Sequence, residues 1–204
     1  MPKKKIAFVL GNGTSRKIIN PVDLRPYGKI YGCNALFRTF APDYLVAVDT
    51  KMVIEIQQAG YHHNNEVWSN PNKLTKQDPN INKFNPNKGW SSGPTALFMA
   101  STHDNPVIYI LGFDYTGLGK EHELVNNLYA GTKNYKNVND RATYYGNWQR
   151  QTFNCINQFN RTKYVRVTEN EDSYIPDNFI NCKNLKHITI NEFMENFKIS
   201  PYNS

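Results

Sequence analysis

Short apolar runs alternate along the chain with stretches of helical periodicity. The runs predict strands over residues 6–10, 30–34, 43–49, 106–115 and 163–167, and the periodic stretches predict helices over 51–59, 94–103 and 146–159. The apolar runs are continuous rather than alternating, which is typical of strands buried on both faces of a parallel sheet. This order predicts a single Rossmann-like α/β domain over residues 1–204, with a mostly parallel sheet and right-handed crossovers.

Two segments interrupt the alternation. Residues 64–88 are rich in Asn, Pro and Lys, which predicts a surface loop or an irregular connection. Residues 117–145 are rich in Asn, Tyr, Gly and Lys and directly follow the strongest strand signal. A polar, aromatic insertion at that place is typical of a lid over a ligand, and its composition also fits a variable surface loop.

Polar or glycine residues follow four of the predicted strands. They are Gly11 to Ser15, Cys33 and Asn34, Asp49, and Gly112 to Tyr115. In open α/β sheets, ligands bind outside the carboxyl ends of the strands. The recurrence at four strand ends therefore predicts a ligand site there, and it is stronger evidence than any single motif.

The first of these strand ends reads GNGTS. Gly11 and Gly13 allow close approach of the backbone to an oxyanion around Asn12, and the hydroxyls of Thr14 and Ser15 can donate or cap a helix. The stretch lacks the third glycine of the dinucleotide fingerprint, and no Gly-Lys-Ser/Thr follows as in a P-loop. Alone, it indicates either a phosphate cradle or a tight turn.

A second glycine turn reads GWSSGPTALFMA, over residues 89–100. Ser92 and Gly93 precede Pro94, which favours a helix start at this point. A helix N-terminus attracts an anion or a polar nucleotide group, whereas the alternative is a serine N-cap that only stabilises the helix. Beside the first turn, this one favours a nucleotide bound between two glycine turns.

Net charge, cysteine count and hydropathy limit the partners, metal sites and location that we expect for this protein. The formal net charge of +7 favours an anionic partner such as a nucleotide or nucleic acid, and ordinary solubility charge accounts for it as well. Three separated cysteines, Cys33, Cys155 and Cys182, indicate neither a disulfide framework nor a zinc site, and no acidic or histidine cluster indicates another metal. No apolar run reaches the roughly 20 residues of a membrane span, so we expect a cytoplasmic protein.

The motifs GNGTS, GCNALF, SSGPTALFMA, IYILGFDY, LYAGTKN and TYYGNW resemble, in this order, those of the small bacterial CMP-sialic acid-dependent sialyltransferases. The chain is also similar to the Rossmann-like domain of motility-accessory glycosyltransferases and hydroxymethylpterin pyrophosphokinases. The likeness covers residues 6–167. It implies one nucleotide-binding α/β domain with a flexible lid, a nucleotide-sugar co-substrate, no metal or other cofactor, and a tendency to form homo-oligomers.

The resemblance also implies roles for individual residues. Asn12 and Asn34 would contact the donor's phosphate or nucleotide. The ribose or base would be held by Ser92 and Gly93, with Asp114 and Tyr115 at the base-binding strand end. Tyr129 would be the lid tyrosine that donates a hydrogen bond to the departing phosphate, which stabilises its developing charge.

One position departs from the pattern of the sialyltransferases that the chain resembles. Those enzymes have a general-base histidine where this chain has Asn147, whose amide cannot take a proton at neutral pH. Asp49, His122 and Asp140 are candidate substitutes, although Asp49 can instead cap a helix and the other two can be solvated. The neighbouring Tyr145 and Trp148 offer either a stacking platform or helix packing.

We therefore expect a metal-independent glycosyltransferase that uses a CMP- or UDP-type donor. The positive charge leaves room for a nucleic-acid acceptor, such as a hydroxylated base of modified phage DNA in the host cytoplasm. Asn147 motivates a different function, in which the protein binds or sequesters a nucleotide without transfer. A pyrophosphokinase-like activity is the third alternative, and it is disfavoured because the sequence shows no acidic metal cluster.

Overall fold

The computed structural model describes residues 5–202, which form one α/β unit. Its strands are Ile6–Leu10 (β1), Gly28–Cys33 (β2), Tyr44–Val46 (β3), Val67–Ser69 (β4), Ile81–Lys83 (β5), Val107–Leu111 (β6), Lys163–Thr168 (β7) and Leu185–Thr189 (β8). Its α-helices are Thr50–Gln58 (α1), Lys73–Lys76 (α2), Ser92–Thr102 (α3), Gly146–Gln158 (α4) and Ile190–Phe197 (α5).

The strands form a single sheet in the order β5-β4-β3-β2-β1-β6-β7-β8, and every pair of neighbours is parallel. This confirms the expected Rossmann-like α/β fold. From β1 the chain builds the sheet outwards to β5, then returns through α3 to place β6 on the other side of β1. The point between β1 and β6 is where the strand order reverses, which in such sheets opens a crevice for ligands.

The sheet is buried on both faces, which explains the continuous apolar runs. In β1, Phe8 and Leu10 belong to the core under α1 and α5, whereas Ala7 and Val9 belong to the core under α3 and α4. Successive side chains of a strand point to opposite faces, so consecutive residues of β1 are apolar. None of the described helices is long and apolar enough to cross a membrane.

The connection from β1 to β2 contains no α-helix. The turn after β1 continues into two 3₁₀ segments, Thr14–Arg16 and Pro21–Leu24, instead of an α-helix. Pro21 lacks the N–H that a continuing helix would use. The glycine turn therefore does leave a strand, as expected, and no α-helix follows it to add a dipole.

The prediction of a loop over residues 64–88 was wrong. This segment contains β4, the short helix α2 and β5, which extend the sheet at one edge. Each of these strands has three residues, and Val67 and Ile81 are their fully buried apolar side chains. Three apolar or mixed residues are too few to show a strand periodicity. The prediction therefore followed the surrounding Asn, Pro and Lys, which are typical of loops.

The last strand and helix, β8 and α5, were not predicted. Thr189 and Glu192 form a reciprocal capping box at the start of α5, in which each side chain accepts a bond from the other's backbone. The buried residues of α5 are Ile190, Phe193, Met194 and Phe197, which is the spacing of one helix face. Both signals are legible in the sequence.

Two glycines meet where β1 and β6 end. The Gly11 N–H donates to the Leu111 carbonyl (2.8 Å), and the Gly13 N–H donates to the Gly112 carbonyl (2.9 Å). A Cβ on Gly11 would lie 2.5 Å from the Gly112 oxygen, and one on Gly112 would lie 2.8 Å from the Gly11 oxygen. Side chains cannot enter this junction, so both turns need glycine.

We expect Gly112→Ala to destabilise the fold more than Gly89→Ala. Both glycines have a left-handed backbone, with φ of +68° and +66°, so each substitution costs about 1 kcal/mol in strain. Nothing lies within 4 Å of a Cβ on Gly89, whereas at Gly112 the overlap with Gly11 adds about 1–3 kcal/mol. Urea unfolding of both variants measures the difference, and equal losses would contradict the close approach.

Candidate functional site

A cavity of about 430 Å³ opens at the carboxyl edge of the sheet, where the strand order reverses. Its volume lies within the usual range of small-molecule sites. The strand ends, the start of α3, the segment 117–145 and the start of α4 all contribute to its wall. The lining residues are 11–13, 33–34, 49, 91–94, 112–116, 125–127, 134–136, 143, 145 and 148.

The first glycine turn is largely closed by the protein itself. The N–H and hydroxyl of Thr14 both donate to Asn126 Oδ1 (2.8 Å each), and the N–H and hydroxyl of Ser15 both donate to the carboxylate of Asp114. Neither Thr14 nor Ser15 lines the cavity. Asp114 thus occupies the place of the anion that this turn was expected to bind. In this turn the N–H of Asn12 has no acceptor among residues 5–202.

The second glycine turn leaves its donors free. The N–H groups of Ser92 and Gly93, at the start of α3, have no acceptor in the described part of the chain. Ser91 makes no capping bond, so the alternative of a serine N-cap is wrong. The Ser92 hydroxyl oxygen accepts the N–H of Val48 (3.0 Å), which leaves its proton free to donate. This turn, rather than the first, presents donors and a positive helix end to the cavity.

Two unpaired acceptors come from the ends of β2 and β3. Asn34 has a left-handed backbone (φ 51°), and its buried Oδ1 has no partner within residues 5–202. The Asp49 carboxylate makes no hydrogen bond or ion pair there, and only the backbone carbonyl of Asp49 serves α1. The expected alternative, a side-chain helix cap, is therefore wrong. Asp49 is exposed, whereas the strained backbone of Asn34 beside its unpaired buried oxygen is a combination common where a protein meets a ligand.

The segment 117–145, called the lid here, folds over the cavity and carries only isolated β-bridges. It places Tyr135 in the wall, where the phenol oxygen accepts the N–H of Ala35 (3.3 Å). Burial raises the pKa of Tyr135, so the phenol keeps its proton at neutral pH and can donate it to a ligand. Tyr135 was not predicted from the sequence as a site residue, although it lies close to Tyr129 in the same lid.

Tyr129 itself lies outside the cavity. It is 9% exposed, packs in the core beside α1, and its hydroxyl bonds Thr39 Oγ1 (3.1 Å). Its ring lies behind Tyr135, with 5.9 Å between the ring centroids. Of the two lid tyrosines, Tyr135 and not Tyr129 therefore reaches the cavity.

Of the other expected catalytic residues, one lies in the cavity wall and three lie outside it. Asn147 is exposed outside the cavity, and its Oδ1 accepts a bond from Arg150 (3.0 Å). His122 and Asp140 are exposed lid residues that do not line the cavity. Of the candidate bases, Asp49 is the one that reaches the wall.

Aromatic residues form much of the remaining wall. Tyr145 and Trp148 both line the cavity and meet edge to face, with centroids 5.3 Å apart. Tyr115 contributes to the wall, but its hydroxyl donates inward to Thr152 (2.7 Å), and burial raises its pKa. Tyr115 is thus a packing residue at the site rather than a donor to it. Burial also raises the pKa of Cys33 to about 12, which keeps this thiol protonated.

Two buried arginines support the turns from behind. Arg16, 5% exposed, donates to the Gly11 carbonyl and, at 3.4 Å, to Asn12 Oδ1. Arg166, 3% exposed, donates to the carbonyls of Phe113 (2.9 Å) and Asp114 (3.1 Å). The guanidinium charges offset the carboxylates of the cavity wall, and their hydrogen bonds hold the turns that follow β1 and β6. Their basic side chains gave no sequence signal of burial.

No group of three His, Cys, Asp or Glu side chains comes together within residues 5–202. The chain matches no model of a known protein family, no curated protein and no solved structure. The motif resemblance thus divides. All six motifs supply cavity residues, among them Asn12, Ser92 and Tyr145, whereas Tyr129 and Asn147 lie outside the cavity.

We expect Asp114→Asn to destabilise the protein by about 1–2 kcal/mol, because Ser15 loses a charged acceptor for two donors. Asp140→Asn is the matched control, since this exposed carboxylate accepts one N–H, from Asn137 (2.7 Å), and its loss should stay within about 0.5 kcal/mol. Urea unfolding at pH 7 compares the two. A loss at Asp114 as small as the control's would show that the first turn is not held by this carboxylate.

Proposed function

We propose that this protein transfers a sugar from a nucleotide-activated donor of the CMP or UDP type to an acceptor hydroxyl. One observation carries the proposal: a single cavity gathers unpaired donors and unpaired acceptors from separate strand ends. The donors are the N–H groups of Asn12, Ser92 and Gly93 and the Tyr135 phenol, and the acceptors are Asn34 Oδ1 and the Asp49 carboxylate. A nucleotide sugar needs both kinds, because it has phosphate oxygens and many hydroxyls.

The donor phosphate belongs at the start of α3. The free N–H groups of Ser92 and Gly93 point out of a helix N-terminus, which favours negative charge. The first glycine turn contributes the Asn12 N–H, while its other donors are taken by Asp114 and Asn126. The start of α3 thus offers two N–H groups to the phosphate, and the first glycine turn offers one.

The nucleoside and the sugar take the rest of the cavity. Tyr145 and Trp148 present aromatic surfaces against which a base can pack. Asn34 Oδ1 has no partner and is closed to solvent, so in this proposal the side chain turns toward the sugar and accepts a hydroxyl, which removes the penalty of a buried unpaired oxygen. The net charge of +7 favours an anionic acceptor such as nucleic acid, whose binding would weaken steeply with added salt.

In the transfer step, an acceptor hydroxyl attacks the anomeric carbon. Its proton passes to Asp49, and the bond between the anomeric carbon and the phosphate oxygen breaks. The bonding electrons leave with the phosphate, whose new charge the Tyr135 phenol stabilises by donating a hydrogen bond. A carboxylate base from β3 and a phenol from the lid thus perform the two halves of the reaction.

Nucleotide binding without transfer is the second candidate. Asn147 favours it, because the position of the family's histidine base lies on the surface and faces Arg150 rather than the cavity. Both functions share the nucleotide site and the cytoplasm as their setting. They differ in whether a wild-type protein releases free nucleotide from a sugar donor.

We expect Tyr135→Phe to lower kcat about 10²–10³-fold while Tyr129→Phe stays near wild type. The first variant loses a donor in the cavity wall, whereas the second loses a bond to Thr39 outside it. Asp49→Asn should lower kcat about 10²–10⁴-fold and leave nucleotide affinity unchanged, as expected for a base. The measurement is nucleotide release from a panel of CMP and UDP sugars, with affinity from calorimetry.

The outcomes separate the candidates. Binding of nucleotide without release from any donor would reject transfer and favour the sequestering protein. Equal losses at Tyr129 and Tyr135 would show that the phenol in the wall has no special role. A protein that binds no nucleotide at all would overturn both functions.

A further inference from the structure

One ion pair of the body of the protein, between Arg38 and Glu55, lies against the lid. Arg38 ends the 3₁₀ segment that begins at Asn34, and Glu55 lies in α1. Arg38 Nε donates to Glu55 Oε1 (2.6 Å), and Arg38 Nη2 donates to Glu55 Oε2 (2.8 Å). The side chains are 19% and 12% exposed, so this two-pronged pair is shielded from water.

Both members of the ion pair also form hydrogen bonds with the lid. Arg38 Nη1 donates to Thr132 Oγ1 (2.6 Å), and Nη2 also donates to the Lys133 carbonyl (2.7 Å). Glu55 Oε2 accepts from Asn134 Nδ2 (2.7 Å). Three consecutive lid residues therefore depend on two charged side chains of the body.

The same guanidinium lies against the lid's two tyrosines. Its carbon is 5.9 Å from the ring centroid of Tyr129 and 5.6 Å from that of Tyr135, within the range of a cation–π contact. The hydrogen bond with Glu55 raises the pKa of Arg38 and lowers the pKa of Glu55, so both stay charged at neutral pH. The charge that attracts the rings is thus permanent.

We propose that the Arg38–Glu55 ion pair is a latch that holds the lid over the cavity and positions Tyr135 toward the bound ligand. Neither residue lines the cavity, so both act through the lid. The latch orders residues 132–134, and these place Tyr135 beside Ala35 at the end of β2. The effect on turnover rests on the proposed glycosyl transfer, whereas the effect on the lid does not.

Hydrogen exchange of the free protein tests the latch directly. In Arg38→Met, the bonded amides of Gly131 and Tyr135 should exchange at least about tenfold faster than in the wild type, because the lid opens more often. Thr132→Val is the second variant, which keeps the ion pair and removes one of its three lid contacts, together with the bond from the Thr132 hydroxyl to the Tyr129 carbonyl, so it should show the same direction without leaving Glu55 unpaired. Lys29→Met is the control, because it breaks the ion pair with Asp43 outside the lid.

Kinetics test the positioning. Both latch variants should lower kcat with donor saturating, by roughly tenfold, and adding either of them to Tyr135→Phe should cause little further loss, since all act on one phenol. A purely structural role would instead leave kcat per folded molecule unchanged. Lys29→Met should match the wild type in both assays.

Unchanged lid exchange in both latch variants would overturn the latch. Faster exchange with unchanged kcat would overturn the positioning of Tyr135. A wild-type protein that neither binds nor cleaves a nucleotide sugar would instead overturn the proposed function, and lid exchange would then decide the latch alone.

Discussion

The site depends on the close contact between the turn after β1, at Gly11, and the turn after β6, at Gly112. Gly11 and Gly112 bring their backbones so near that neither can carry a side chain. Hydrogen bonds from Gly11 and Gly13 to the neighbouring strand end lock the contact, and buried Arg16 and Arg166 take up carbonyls of both turns. The strand ends therefore form a rigid floor for the cavity.

This rigid floor decides which groups remain free. Asp114 is drawn against the first turn and satisfies Ser15, while Asn126 from the lid satisfies Thr14. The Asn12 carbonyl also accepts the N–H of Leu128 (2.8 Å), so the lid has a second bond to the same turn. What is left for a ligand lies across the cavity, at the start of α3 and at the ends of β2 and β3. A turn that looks like a phosphate cradle in sequence thus serves mainly to hold the lid.

The sequence was sufficient for the central strands and for the meeting of their polar ends, because burial on both faces leaves long apolar runs and parallel strands end at one edge. It was insufficient where partners are far apart. Thr14 meets Asn126 across 112 residues, and Ser15 meets Asp114 across 99, so no local pattern shows which donors are used. The choice of Tyr135 over Tyr129 likewise follows from how Arg38 folds the lid.

The central claim is that a nucleotide phosphate binds at the start of α3 rather than in the first glycine turn. Amide ¹⁵N–¹H shifts during titration with CMP and UDP test it most directly, because each candidate N–H reports for itself. Phosphate binding at the start of α3 should give the largest shifts at Ser92 and Gly93, a smaller one at Asn12, and little change at Thr14 and Ser15. Large shifts at Thr14 and Ser15 with none at Ser92 and Gly93 would contradict it.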